Sequence, residues 1–194
     1  MKVFRLLLCF FVIFTLASCG KNELIDLSGF LENYNETASQ SLELSDFIMQ
    51  KTPDVSYTAV VCENGCNILL SLCEGADRKI QTCKIALVKE NGSVPTTDEM
   101  LAFNSVINDV MTAYCGFDSS VVINSFGLNS VDALAKNGEL TLRKDNYYFV
   151  YYSTLVISEF IIHNTYLKEI ETTHKPESKP YFGEDFVIKD KETP

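Results

Sequence analysis

Apolar residues recur at spacings of three and four over two stretches of the chain. Leu24, Leu27, Leu31, Tyr34 and Ala38 line one side of a helix over 24–38. Met100, Phe103, Ile107, Val110, Met111 and Tyr114 line a second, with a cap and acidic first turn at Thr96-Thr97-Asp98-Glu99 and a stop at Gly116. Between these stretches the period drops to two. Tyr57–Cys62, Asn67–Cys73 and Ile80–Lys89 read as strands, and Ser41–Met49 as a less regular one. Glu63-Asn64-Gly65 and Gly75-Ala76-Asp77-Arg78 supply the turns of an antiparallel meander, which Asn91-Gly92 closes. After the second helix, Val121–Ser125 reads as a short strand and Ser130–Lys136 as a helical turn. Glu139–Arg143 and Tyr147–Tyr152 form a hairpin about Lys144-Asp145-Asn146, and Leu155–His163 is a further strand.

This pattern predicts an α+β fold. One antiparallel sheet, or two related sheets, carries two main helices on one face, within a single domain over residues 24–171. The order helix, strands, helix, strands suggests a helix-then-meander duplication, although no residue-level repeat accompanies it. Tyr147–His163 is apolar enough to resemble a membrane span. It holds Glu159 and four tyrosines and is too short for a spanning helix of about 20 residues. The prolines and charges beyond it make 172–194 a polar tail.

The 194 residues are 46% hydrophobic and 11% aromatic, enough to bury a sizeable core. Sixteen basic against 26 acidic residues leave a net charge of −10. Nucleic acid is therefore not an expected partner, because its phosphates demand clustered Lys and Arg.

The first residues carry an address. Lys2 and Arg5 precede an apolar run from Leu6 to Leu16, followed by Ala17-Ser18 and then Cys19. This is the layout of a signal peptide over 1–18. Leu16-Ala17-Ser18-Cys19 resembles the lipobox of bacterial lipoproteins. The resemblance implies cleavage before Cys19, a diacylglycerol thioether on its sulfur, and acylation of the new amino group, as with palmitate. Several acyl chains on one residue hold a soluble domain durably, where one chain binds only marginally. Loss of Lys2 and Arg5 leaves 14 basic and 26 acidic residues, a net −12. Anionic lipid repels such a chain, so the lipid anchor is the expected membrane contact. Residues 19–23 form a short lipidated tether, and the domain is expected outside the cytoplasm, at the cell surface or in the periplasm.

Cys62, Cys66, Cys73, Cys83 and Cys115 remain besides Cys19 in the processed chain. Side chains alternate faces along a strand. Centring the first hairpin on Asn64 sets Cys62 opposite Cys66, and centring the next on Arg78 sets Cys73 opposite Cys83 on the other face. Cys62–Cys66 and Cys73–Cys83 are thus candidate disulfides in an exported protein, with Cys115 free. Five small buried hydrophobes are the competing reading. A four-Cys zinc site would need all the thiols on one face, and no metal or cofactor is expected.

His163 and His174 are the only histidines. Glu159 and His163, four apart, share a face in a strand or a helix, an arrangement a proton-transfer pair would use. No G-x-S-x-G, H-E-x-x-H or phosphate-binding glycine loop occurs. Alternation gives Tyr147, Phe149 and Tyr151 to one face and Tyr148, Val150 and Tyr152 to the other, where Tyr148 and Tyr152 offer an aromatic platform. A non-enzymatic binding module for an envelope protein or glycan is the expected function. A carboxylate-based envelope enzyme and a structural lipoprotein assisting an envelope assembly are the alternatives.

Overall fold

The structure is a computed structural model, which describes residues 24–51, 55–89 and 93–165. The signal peptide, Cys19 with its tether, His174 and the 172–194 tail lie outside the described residues.

Helix α1 spans Leu27–Thr37 and α2 spans Thr97–Cys115. Asp26 caps α1 by accepting the Gly29 N–H at 3.0 Å. Thr96 and Glu99 cap α2 reciprocally, a capping box. Gly116 ends α2 at φ 75°, a left-handed conformation that favours glycine. Strands β1 (Ile48–Gln50), β2 (Ser56–Glu63), β3 (Cys66–Glu74) and β4 (Ile80–Val88) lie between the two helices. After α2 come α3 (Ser120–Phe126), α4 (Val131–Ala135), β5 (Gly138–Lys144), β6 (Tyr147–Ser153) and β7 (Ile157–Asn164).

The fold is α+β. All seven strands form one antiparallel sheet in the order β1-β2-β3-β4-β7-β6-β5. The chain runs outward to inward through β1–β4, crosses one face as α2–α4, re-enters at the far edge as β5 and works back to β7. The apolar segment 147–163 is thus the β6–β7 pair. Among the described residues, no helix is long and apolar enough to cross a membrane.

The core lies between the sheet and the helices. Phe103, Ile107 and Met111 of α2 are fully buried against Ile68, Leu70, Leu72 and Ile85. Phe30 and Tyr34 of α1 join them, and the Asn33 amide donates to Ala113 O of α2 at 3.0 Å. Each fully buried aliphatic or aromatic side chain contributes about 1.5–3 kcal/mol.

Val121–Ser125, expected as a strand, is helical instead. The Val122 and Ile123 amides donate to Ser119 O, and Gly127 ends the helix at φ 69°. Val122 and Phe126, one helical turn apart, are both buried, and Phe126 meets Phe160 edge-on at 6.1 Å. Burial of that face overrides the β preference of Val-Val-Ile.

Candidate functional site: the open sheet face

The register arranges the face opposite the helices in straight rows. One row runs Val60, Leu69, Ala86, Glu159, Tyr152, Glu139 from β2 to β5. The next holds Thr58, Ser71, Lys84, Ile161, Val150 and Thr141. The third holds Ser56, Cys73, Thr82, His163, Tyr148 and Arg143. Strands rise about 3.4 Å per residue, so successive rows are about 7 Å apart.

Alternation divides the aromatic cluster as expected. Tyr147, Phe149 and Tyr151 are buried under the helices, while Tyr148 is exposed and Tyr152 half-buried on the open face. Tyr148 stacks on the His163 ring at 6.4 Å, and His163 Nδ1 shares a hydrogen bond with Thr82 Oγ1 at 3.0 Å. Thr58 and Ser71 hydroxyls pair at 3.0 Å in the middle row. Ile48, Val60 and Val88 stand exposed around these polar groups. Desolvation raises the Glu159 carboxyl above its ordinary pKa, opposed by the nearby Lys84 ammonium. Glu159 and His163 lie on the same strand, four residues and about 13 Å apart. They share the face but do not form a proton-transfer pair.

The expected disulfides are corrected by the register. The first hairpin closes with a two-residue turn, Asn64 at φ 50° and Gly65 at φ 78°, so Glu63 faces Cys66 and Cys62 faces Asn67. Cys62 therefore lies exposed on the open face, and Cys66 on the core face with Ile68 and Leu70. A bulge between Cys73 and Glu74 sets Cys73 opposite Thr82, while Cys83 faces Leu72 in the core. Both proposed pairs straddle the sheet, and all five described cysteines are free thiols. The same division keeps Cys62, Cys66, Cys73 and Cys83 from converging on a metal. Burial pushes the Cys83 and Cys115 thiols well above the ordinary range.

Two polar clusters escaped the sequence reading. Lys89, just past β4, is buried, and its Nζ donates to Leu134 O at 2.7 Å, Ser153 Oγ at 2.8 Å and Thr154 O at 2.7 Å. Ser153 and Ser158 also donate to Leu134 O, at 2.9 and 3.3 Å. All three ammonium protons are used, so this lysine is no general base. It ties the end of α4 to the β6–β7 turn, a favourable place for a cation at a helix C-terminus. The second cluster joins the segment just after α1 to β2 and α2. Buried Glu63 accepts from the hydroxyls of Ser39 at 2.8 Å and Ser105 at 3.1 Å. Desolvation, reinforced by Glu63, raises the Asp109 carboxyl to about 6. In each case the available signal was strand parity. Lys89 continues the inward series Cys83, Ile85, Leu87, and Glu63 continues Ala59, Val61.

A cleft of about 360 Å³ lies on the helix side of β5, lined by Phe126, Leu140 and Tyr151 with Asp132, Lys136 and Glu139 at its polar margin. Comparison with protein-family models, with curated proteins and with solved structures returns no match.

Proposed function

We propose that this protein is a lipid-anchored, non-enzymatic interaction module of the bacterial envelope. Acyl chains on Cys19 hold the acidic domain to the membrane outside the cytoplasm, and the open sheet face receives a partner. The observation that carries the second half of the reading is the contrast between the two faces. One is sealed by four helices, while the other presents Tyr148, Val60 and Val88 beside half-buried Tyr152, Glu159 and His163. Solvated sheet faces are common in antiparallel folds. Tyrosine and arginine, both present on this face, are residues that interfaces enrich.

Both halves are testable on the full chain. Cys19→Ala abolishes labelling by a fatty-acid analogue, and labelling that persists refutes the anchor. Tyr148→Ala and Tyr152→Ala reduce capture of envelope components from detergent extracts while the melting temperature changes little. A large drop in stability with unchanged capture would assign both rings to packing alone. An envelope hydrolase would instead degrade glycan or peptidoglycan fragments in a carboxylate-dependent way.

A further inference from the structure

We infer that the partner received by the open face is a second copy of this chain, docked face to face about a two-fold axis. This rests on the interaction-module reading and names its partner. Three adjacent strands carry the reason. Across β7, β6 and β5, one row reads Glu159–Tyr152–Glu139, and two rows away the same strands read His163–Tyr148–Arg143. The row between them is Ile161–Val150–Thr141. A two-fold axis laid along that middle row leaves each strand over its own copy and exchanges the outer rows. Glu139 then faces the second copy's Arg143, Glu159 faces its His163, Tyr152 faces its Tyr148, and Ile161 and Val150 pack on themselves. A C2 interface must be self-complementary in this way. Lys84, in the middle row of β4, faces its own counterpart, with a Glu159 carboxylate of each copy beside the pair.

The helices disfavour pairing of two copies through the opposite side. The four helices contain six acidic residues, Glu32, Glu36, Asp98, Glu99, Asp109 and Asp132, and no Lys or Arg. Two helical faces repel. On the open face Glu139 and Glu159 are balanced by Lys84 and Arg143, so it is the neutral side of an acidic molecule. Strands about 4.8 Å apart over six strands, and about 20 Å along them, give a footprint of roughly 600 Å² per copy. The pair buries roughly 1,200 Å², the lower limit of a specific interface, so the dimer is reversible. Stacked sheets separated by about 10 Å accommodate the interdigitating tyrosines.

The test is sedimentation equilibrium of the soluble chain lacking residues 1–19, from micromolar to several hundred micromolar. The wild-type chain forms a reversible dimer. Arg143→Glu alone sets carboxylates against Glu139 of the second copy, and Glu139→Arg alone sets guanidinium groups against Arg143; each weakens association by about tenfold or more. The double swap, Glu139→Arg with Arg143→Glu, restores it to within about threefold of wild type. Circular dichroism confirms that all three variants fold, since both positions are exposed. A wild-type monomer at every concentration overturns the proposal, as does a folded double swap that stays dissociated. If the chain is monomeric yet Tyr148→Ala still impairs capture from extracts, the dimer falls and the interaction-module reading stands. If neither assay responds, both fall.

Discussion

Replacing Asp109 by Asn should stabilise the protein at alkaline pH and do little at acid pH. Asp109 sits on α2 facing the buried Glu63, and burial with that like charge raises its carboxyl from 3.8 to about 6. Below pH 3.8 the group is protonated in both folded and unfolded chains, and it favours neither. Between 3.8 and about 6 the unfolded chain ionises while the folded chain keeps its proton, so folding stability falls as pH rises. Above about 6 both states are ionised and the full penalty is present. A shift of about two units corresponds to about 3 kcal/mol. Asp109 remains partly exposed, and solvent screening cuts that ceiling to about 1–1.5 kcal/mol. Asparagine removes the charge with almost no change of shape. For a domain of this size the gain is a rise of about 3–6 °C in melting temperature at pH 8. At pH 4 the two proteins should melt within about 1 °C of each other.

Thermal melts of wild type and Asp109→Asn from pH 4 to pH 8 measure this directly. Glu63→Gln supplies the control, because removing the neighbouring charge should reduce the benefit of Asp109→Asn when the two are combined. An Asn variant no more stable than wild type at pH 8, or one whose advantage is the same at every pH, would show that the carboxylate pair is not a store of electrostatic strain.

Two further outcomes follow from the buried groups. Lys89→Met keeps the apolar stem but withdraws three donated hydrogen bonds, and it should lower unfolding free energy in urea by about 2–3 kcal/mol; an unchanged midpoint would mean the ammonium contributes nothing net. Alkylation under native conditions should modify Cys62 first, and Cys83 and Cys115 only once the domain unfolds, because the latter two thiols are buried with raised pKa values. Peptide mapping that recovered a Cys62–Cys66 or Cys73–Cys83 bridge would refute the observed register.

Strand and helix identity was legible wherever a periodic face was long. α2 was delimited by its capping box and Gly116, and the two meanders by Asn64-Gly65, the Gly75–Arg78 turn and Asp145. Strand register was not. Reading Glu63-Asn64-Gly65 as centred on Asn64, instead of as the two-residue Asn64-Gly65 loop, moves the pairing by one position. In a strand, one position is the opposite face. That single displacement created the expected Cys62–Cys66 bridge; the other came from centring the second turn on Arg78, whereas the strands meet about Asp77 and the bulge after Cys73 turns Cys83 to the core face. Val121–Ser125 failed for a different reason. A run of three β-branched residues is a local preference, and burial of Val122 and Phe126 on one helical face is a tertiary fact that five residues of sequence do not announce. The tyrosine alternation succeeded because the β5–β6 turn did not disturb parity, with Lys144 directly opposite Tyr147.

The polar exceptions on the inward-facing parity and the charges on the outward-facing parity express one constraint. Lys89, Ser153 and Ser158 sit at the end of β4, the end of β6 and the start of β7, and there the core needs donors for the carbonyl of Leu134 at the close of α4. Glu63 closes β2 at the same end of the sheet, two strands away from β4, and accepts there from two serine hydroxyls. The core is thus apolar in its middle and bordered by hydrogen bonds at that end of the sheet, which fixes how the helices lie on it. The charged residues of the helices are all acidic, so in a molecule of net charge −10 the open face is the side where opposite charges balance. Long-range repulsion between like-charged bodies is lost beyond a Debye length of about 10 Å at 0.1 M salt, whereas the charged residues of the open face act at contact. In the proposed dimer, the same acidic composition turns the open face, and not the helices, toward the second copy.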